Sequence, residues 1–596
     1  MALFIKILSL RHRYFWVVLI SIMSCLLPWV KAIGQKSLGA KAPWPVTTYE
    51  AENMTTSGKL LGPVYGPYQV QTASSDQMCV ALKGANAFVA FTAQQRANAM
   101  VIRYSLTDGA SGESRQAGLL ILINGKAAAH AAICSKYSWL YGDYPFTNRP
   151  QAGKPRNFYD ACRIKALSIE PGDQITIKLE GTPKDASSCM IDLVDLENVP
   201  PPLKAPQGAI WLTDARLVSE QTSAGDYTVA LRKAINLALK SSKKVWIPAG
   251  VYQISGDILL PSDICIQGAG MWYTNFVGDS ANYPNPQRRV RFKGAGDHIY
   301  LSDFSITGKL DYRSDEEEND GIVGSFGTNS TISRLWIEHT KVGMWLDNSS
   351  HLTIEGCRLR NTIADGINLW VGVTSTVIEN CSARGTGDDC FAIWPMASAA
   401  QKYQPGHNLI KDCTAQLPFL ANGIAIYGGN SNQVRDCLLE DISAGSAILL
   451  STTFPTKKGA MDNNFSGKTR IENCRISKSG GFDHSWDWRG AVEFCLDKKN
   501  ITGIVLKELS IDSSLSSGIH IIGHTDNGTI TTNTDTLLNF QGRMDNIRIG
   551  KFGLGTSVNT TDGLSVTGPV GGVLECQNTQ LNKTEHKASR LLIKGD

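Results

Sequence analysis

The chain has 596 residues, 42% of them hydrophobic, and a formal net charge of +4. This length exceeds one ordinary core and predicts at least two domains, and the composition excludes a disordered chain. Residues 1–32 contain the four basic residues Lys6, Arg11, Arg13 and Lys31 and no acid, so the rest of the chain is near neutral (+4 − 4 = 0). Nothing therefore favours binding to nucleic acid or to an anionic membrane, and a neutral polysaccharide fits as a partner at least as well.

The N-terminus predicts a signal peptide over residues 1–32. A basic region precedes an apolar run from Phe15 to Val30, and Val30-Lys31-Ala32 places small residues where a signal peptidase cleaves. The run contains Pro28 and is shorter than the roughly 20 residues that a spanning helix needs. We therefore expect a secreted protein with no membrane association after cleavage.

Residues 45–198 predict an antiparallel β-sandwich domain. Short alternating runs such as "GLLILINGK" and "DQITIKLEG" follow one another with turn signals between them. Residues 199–207, "VPPPLKAPQ", predict a proline-rich linker. A second domain is expected over residues 208–596.

The second domain predicts a parallel β-helix of stacked coils. After one amphipathic helix at residues 226–240, segments such as "LTIEGCRLRNT" and "TVIENCSARGT" repeat. They place five cysteines in register at separations of 24, 32, 24 and 37 residues: Cys357, Cys381, Cys413, Cys437 and Cys474. A period in the twenties with loop insertions is typical of a solenoid, and the cysteine column is expected to be a ladder of buried thiols. The predicted fold class is all-β, a right-handed parallel β-helix preceded by the antiparallel β-sandwich.

Acidic residues recur at one position of the coil pattern. The residues just before the apolar strands "GIVGS", "GINLW" and "CFAIW" are Asp320, Asp365 and Asp389. Adjacent parallel strands lie about 4.8 Å apart, so Asp365 and Asp389 should face each other on neighbouring coils, with Asp388 beside them. Like charges this close raise one another's pKa, which favours a functional role over a neutral one. A solvated turn and a calcium site remain open alternatives.

Aromatic residues form a second predicted column beside these acids. Strand alternation puts Asn368 and Trp370 on the outward face, and Trp394 and Tyr427 take that face in the next coils. Exposed stacked rings make a platform for sugars, although packing beneath an inserted loop is an alternative. We predict Trp370, Trp394, Tyr427, Asn368 and Asp320 as substrate-binding residues.

The motifs "PAGVY", "ADGIN" and "GTGDDCFAIW" resemble the pectinase-like β-helix hydrolases, and the Asp-Gly followed by Asp-Asp most resembles glycoside hydrolase family 87. The resemblance covers roughly residues 208–550. It implies hydrolysis of α-1,3-glucosidic bonds in α-1,3-glucan or nigeran, by inversion and without a catalytic cofactor. We assign Asp388 as the acid that protonates the leaving oxygen. Asp365 and Asp389, which share a column, are assigned as the pair that holds and deprotonates water.

Related activities remain as alternatives. Polygalacturonases carry a Gly-His-Gly after the Asp-Asp and then an Arg-x-Lys, whereas residues 421–432, "ANGIAIYGGNSN", contain no histidine. An acidic sugar is therefore disfavoured. Family 49 dextranases use three acids on a similar fold behind a β-sandwich. A secreted, non-catalytic glycan-binding β-helix protein would explain the coils but not three adjacent acids.

The sandwich resembles the carbohydrate-binding modules of families 6 and 35 in "YEAENM", residues 49–54, and "MIDLVDLE", residues 190–197. That resemblance implies a structural calcium ion at Glu50, Glu52 and Asp192, with solvated strand-end acids as the alternative. In the second domain, the acid-rich segment "YRSDEEENDG", residues 312–321, is interpreted as a solvated loop, or alternatively as an edge of the cleft or a calcium-binding segment. A monomer is expected.

Overall fold

The structure, a computed structural model, describes residues 46–180, 188–217, 224–279, 285, 288–453, 464–483, 488–497, 499–524, 537–555, 562–582, 584–587 and 589–595. The predicted signal peptide, residues 1–32, lies outside these residues. None of the helices in the described part of the chain has the length and hydropathy that a transmembrane span requires. Nearly all of the regular structure is β-strand, which confirms the predicted fold class.

The N-terminal part is an antiparallel sandwich. Alternate residues of its strands, such as Ile102, Ile121 and Ile177, are wholly buried in one core, as expected where each strand turns one face inward. One sheet consists of Val46–Glu50, Lys59–Leu61, Cys79–Leu82, Ala97–Leu106, Asp160–Ile169 and Cys189–Glu197. The other consists of Thr55–Thr56, Phe88–Thr92, Gln116–Ile123, Lys126–Cys134 and Gln174–Glu180. Short 3-10 helices lie at Ala51–Asn53, Ser75–Gln77, Pro150–Ala152 and Ala215–Leu217.

From Ile210 onward the strands are parallel and stack into three sheets, which is the arrangement of a β-helix. Helix α1, Thr228–Ser241, follows the first strand. The first sheet runs through Ile210–Trp211, Val245–Ile247, Cys265–Gly268, Tyr300–Ser302, Thr331–Ser333, Thr353–Glu355, Val377–Glu379, Leu409–Lys411, Gln433–Arg435, Thr469–Glu472, Ile501–Lys507, Leu538–Asp545, Val570–Gln577 and Arg590–Lys594. The second runs through Gly250–Gln253, Thr274–Val277, Ser305–Thr307, Trp336–Glu338, Arg358–Arg360, Ser382–Arg384, Thr414–Gln416, Leu438–Glu440, Arg475–Ser477, Ser510–Asp512 and Arg548–Ile549.

The third sheet carries the acids. It runs through Gly256–Leu260, Val290–Ala295, Gly321–Thr328, Met344–Ser350, Ile367–Leu369, Phe391–Ile393, Ile424–Ile426, Ile448–Ser451, Val492–Asp497, Ile519–His524, Leu564–Thr567 and Thr584–Lys587. A short parallel pair, Gly429–Asn430 with Phe465–Ser466, lies beside it. Ile367, Phe391 and Ile424 are register partners on successive coils, so the residues before them also form a column.

The predicted ladder of buried thiols is confirmed. The five cysteines in register are 0–1% exposed, and none forms a disulfide: Cys357, Cys381, Cys413, Cys437 and Cys474. Cys381 Sγ lies 3.4 Å from the backbone nitrogen of Cys357 on the adjacent coil. Like residues at like positions of each coil thus fill the interior.

The sandwich packs against the second sheet of the β-helix through buried ion pairs. Arg358 donates two hydrogen bonds of 2.7 Å to the Glu197 carboxylate. Arg384 donates to Asp195 at 2.8 Å. The proline-rich residues 199–207 therefore join two domains that share a charged, buried interface.

Candidate active site

A cleft of about 790 Å³ lies along the outward face of the third sheet. Strand alternation explains this, because one side of each strand fills the core and the other faces the cleft. The predicted residues that line it are Asp365, Asp388, Asp389, Asn368, Trp370, Trp394 and Tyr427. Asp315, Glu317 and Glu318 form part of one wall, so the acid-rich segment 312–321 lies at the cleft edge, as the alternative interpretation stated.

Asp365, Asp388 and Asp389 converge as the coil register predicts. One carboxylate oxygen from each lies within 4.8 Å of the other two. The backbone N–H after Asp365 donates to the Asp389 carbonyl at 3.0 Å, so these two residues occupy the same position on adjacent coils. Gly387 permits this close approach, because a Cβ there would lie 2.1 Å from the carbonyl oxygen of Ile363.

Burial and repulsion raise the pKa of Asp365 and Asp389, the two acids at the same position on adjacent coils. Burial, followed by the charges of Asp388 and Asp389, raises the pKa of Asp365 well above its usual range. Burial and the charge of Asp388 raise the pKa of Asp389 to about 7. Asn422 and Tyr427 limit that increase by donating hydrogen bonds of 2.8 and 2.9 Å to the Asp389 carboxylate. Asp365 and Asp389 therefore hold protons at higher pH than ordinary carboxyl groups do, as is common at acid–base sites.

Asp388 differs from the other two acids in exposure and in its partner. Its side chain is 32% exposed to the cleft, whereas Asp365 and Asp389 are buried. Its Oδ2 lies 3.1 Å from Arg313 Nη2, and its Oδ1 accepts the Asp389 backbone N–H at 3.2 Å. Asp388 is thus the most accessible of the three acids from the cleft.

The predicted aromatic platform lies in the cleft but is less exposed than expected. Trp370, Trp394 and Tyr427 are half-buried. Trp345 packs on both indoles, with ring centroids 5.6 Å from Trp370 and 5.7 Å from Trp394, and the Tyr427 hydroxyl is engaged by Asp389. The rings form a cleft wall rather than an exposed stack. Trp345 was missed, although the alternation in "GMWLD" places it on the outward face.

The other two predicted substrate-binding residues differ from each other. Asn368 lines the cleft, is 2% exposed, and hydrogen-bonds to the Asp365 carboxyl. Asp320 is 0% exposed, and its carboxylate accepts the backbone N–H of Lys341. Its prediction as a substrate-binding residue is therefore corrected: the coil position is right, but its side chain caps the backbone inside the protein.

The three predicted calcium ligands are neighbours, because after burial the charges of Asp192 and Glu52 raise the pKa of Glu50. Asp192 is wholly buried, forms an ion pair with Arg103 and accepts the Ser75 backbone N–H at 2.9 Å. Within the described residues, only the three cleft acids bring three ligand atoms within 4.8 Å of one another. The Arg103 guanidinium compensates the charge of Asp192, and the role of Asp192 as a ligand stays a prediction. Glu50 and Glu52 each keep buried carboxylate oxygens without a hydrogen-bond partner, and burial is the main cause that raises the pKa of Glu50 to about 9.

Calcium held by Glu50, Glu52 and Asp192 remains a prediction. The partnerless carboxylate oxygens of the two glutamates support it, because calcium selects oxygen ligands. We expect calcium to raise the melting temperature of the full chain above its value in chelator. Saturation at about 100 times Kd corresponds to about 2.7 kcal/mol. Glu52→Gln should remove the difference. Equal melting temperatures with calcium and with chelator would contradict the site.

The family models identify both parts of the chain. A model described as "Alpha-1,3-glucanase catalytic domain D2" matches residues 224–588, and one described as "Alpha-1,3-glucanase catalytic domain D1" matches residues 43–199. No curated protein was found to match the sequence.

Solved structures share the fold over nearly the whole chain. The Agl-KA catalytic domain is 24% identical with a TM-score of 0.83, covering 93% of this chain and 98% of that one. The catalytic unit of a thermostable GH87 α-1,3-glucanase from Streptomyces thermodiastaticus strain HF3-3 is 25% identical with a TM-score of 0.75, covering 94% and 96%. The catalytic domain of a GH87 α-1,3-glucanase in complex with nigerose is 25% identical with a TM-score of 0.75, covering 94% and 97%.

Proposed function

Because the chain belongs to the family of α-1,3-glucanase catalytic domains, glycoside hydrolase family 87, we propose that it hydrolyses the α-1,3-glucosidic bonds of α-1,3-glucan or nigeran. The observation that carries this proposal is the convergence of three carboxyl groups within 4.8 Å in a cleft walled by aromatic residues. Glycoside hydrolysis requires an acid on one side of the scissile bond and a base or nucleophile on the other. The nigerose complex of a similar catalytic domain supports the α-1,3 linkage.

Asp388 acts as the general acid in this proposal. Its carboxyl proton passes to the glycosidic oxygen as the bond from that oxygen to C1 breaks, so the leaving sugar departs neutral. Its exposure to the cleft supports the assignment. Arg313 Nη2 lies 3.1 Å from Asp388 Oδ2 in the free site, and solvent replaces the proton that Asp388 gives up in each turnover.

Asp365 and Asp389 act as the pair that holds the attacking water. The water oxygen bonds to C1, and its proton passes to whichever carboxyl of the pair is ionised. Carboxyl separations near 5 Å are usual for retaining enzymes. Both oxygens of Asp389 accept hydrogen bonds, from Asn422 and Tyr427, and Asp365 is buried, so water fits better than either carboxylate as the nucleophile. We therefore propose inversion.

We predict reducing-sugar release from α-1,3-glucan and little from polygalacturonate, because the cleft coil at residues 421–432 has no histidine. The measurement is a reducing-end assay on α-1,3-glucan, nigeran, dextran and polygalacturonate in parallel. NMR of the first product from an α-1,3-linked oligosaccharide should show the β-anomer. Dextran cleavage without α-1,3-glucan cleavage would support the dextranase alternative. An α-anomer as the first product would contradict inversion.

Secretion and the monomeric state remain proposals. The basic and apolar segments within residues 1–32 support export. N-terminal sequencing of the exported protein would reveal the cleavage, and light scattering would give the oligomeric state.

A further inference from the structure

Arg313 lies at the centre of contacts that connect the sandwich to the acids. We propose that Arg313 is a positioning residue for Asp388, and that Tyr144 and Phe146 of the sandwich hold it in place. The sandwich, which matches the family's catalytic domain D1, then acts on the acids through Arg313. This inference rests on the proposed function, since glucan cleavage is its measure.

Arg313 fixes the two coils that carry the acids. Its guanidinium donates hydrogen bonds to the carbonyl oxygens of Ile363, at 2.7 Å, and Gly387, at 2.5 Å. Ile363 lies two residues before Asp365, and Gly387 immediately precedes Asp388. One side chain therefore sets the spacing between the two acid-bearing turns, and its third contact, 3.1 Å to Asp388 Oδ2, orients the acid itself. The planar guanidinium of arginine can donate to several acceptors at fixed positions at once, whereas the ammonium group of lysine cannot.

The sandwich covers the other side of this guanidinium. The Tyr144 ring centroid lies 5.0 Å and the Phe146 ring centroid 5.8 Å from Arg313 Cζ, and Arg313 Nη2 lies 3.3 Å from the Tyr144 hydroxyl. Such cation–π contacts stabilise a desolvated cation. Phe146 also packs in a buried cluster with Leu420 of the β-helix, so the sandwich loop is anchored on the coil after the acids.

A purely structural role does not account for this placement. The Arg313 side chain is only 3% exposed, and a buried guanidinium is costly without compensation. The ion pair with Asp388, the acid most accessible from the cleft, compensates part of the Arg313 charge. Where a carboxyl must meet a glycosidic oxygen, a displacement of about 1 Å costs about 10²-fold in rate. Loosening Arg313 should therefore reduce turnover more than substrate binding.

The test is a double-mutant cycle on the full chain. Arg313→Met should lower kcat on α-1,3-glucan by about 10- to 100-fold while KM changes by less than about threefold. In the Asp388→Asn background, Arg313→Met should add less than about threefold, because residues that act through one another are not additive. Arg313→Lys should recover part of kcat, since it keeps the charge but not the planar guanidinium. Arg334→Met, which breaks an ion pair with Asp303 on the first sheet, is the matched control and should leave kcat unchanged.

Multiplicative losses in the double variant, or more than half of the wild-type kcat in Arg313→Met, would overturn the inference. Where Arg313→Met does not fold, by circular dichroism and melting, Tyr144→Ala provides the measurement. Tyr144 is 44% exposed, so its removal should spare the fold, lower kcat by about 3- to 10-fold and have no effect in the Asp388→Asn background. Wild-type kcat in Tyr144→Ala would equally overturn it. Failure of the wild-type protein to cleave α-1,3-glucan would instead reject the proposed function.

Discussion

Asp365→Asn, Asp388→Asn and Asp389→Asn should each remove most glucan hydrolysis while the fold persists. General acid–base catalysis contributes about 10² to 10⁴ per group, which sets the expected loss. Asparagine is nearly isosteric, so packing in the coil is retained. Because burial and repulsion raise the pKa of Asp365 and Asp389, Asp365→Asn and Asp389→Asn should leave the free energy of unfolding unchanged or raise it by about 1 kcal/mol. Asp388→Asn removes a charge that compensates the buried Arg313 guanidinium, so it should lower the free energy of unfolding.

The measurements are kcat on α-1,3-glucan and the melting temperature of each variant. Asp263→Asn, a substitution at an exposed turn residue, is the control. An α-1,3-linked disaccharide fluoride separates the roles, because fluoride leaves without a proton: Asp388→Asn should retain far more activity on it than Asp365→Asn or Asp389→Asn. Near-normal glucan turnover in Asp388→Asn would remove it as the acid. A calcium site at the three acids would give the opposite stability result for Asp365→Asn and Asp389→Asn, with lower melting temperatures that chelator reproduces.

Glu197→Ala should be the most destabilising single change at the interface between the sandwich and the β-helix. Glu197 is 7% exposed and accepts both hydrogen bonds of Arg358 together with one of 3.2 Å from Trp272. Its removal takes both carboxylate hydrogen bonds away from a buried guanidinium, and breaking a buried ion pair in this way usually costs about 3–5 kcal/mol. Urea unfolding followed by circular dichroism measures the loss.

The matched control is Glu170→Ala, which breaks an exposed pair with Arg96 whose side chains are 52% and 69% exposed. Exposed pairs contribute about 0–1 kcal/mol, so the control should unfold close to the wild-type midpoint. Equal midpoints for the two variants would show that the interface charges do not hold the domains together.

The coil pattern carried most of what the sequence could predict about the site. Asp365 and Asp389 follow from a repeat and an alternation that are both local, so their register needed no long-range information. The same pattern placed Asp320 at an equivalent position, yet its carboxylate accepts a hydrogen bond from the Lys341 backbone N–H inside the protein. The sequence repeat predicts where a residue lies on its coil, but it does not predict which nearby hydrogen-bond donor its side chain contacts.

Contacts between distant segments had no such signal. Arg313 reaches Asp388 from 75 residues away, and Tyr144 reaches Arg313 from 169 residues away in the other domain. Arg103 likewise forms an ion pair with Asp192 across the sandwich, a contact that the strand pattern did not predict. Contacts of this kind depend on how loops and domains pack. That packing cannot be predicted from the composition or the periodicity of the sequence.

Helix α1 has a consequence for solubility that concerns the whole stack. Its apolar face, which includes Leu231, Ala234 and Ile235, is buried in the same core as the first coil. A solenoid otherwise ends in an open layer of apolar side chains and unpaired strand edges, which can recruit a second molecule end to end. The helix closes that layer, so a chain that lacked Thr228–Ser241 would offer a template for head-to-tail fibre growth.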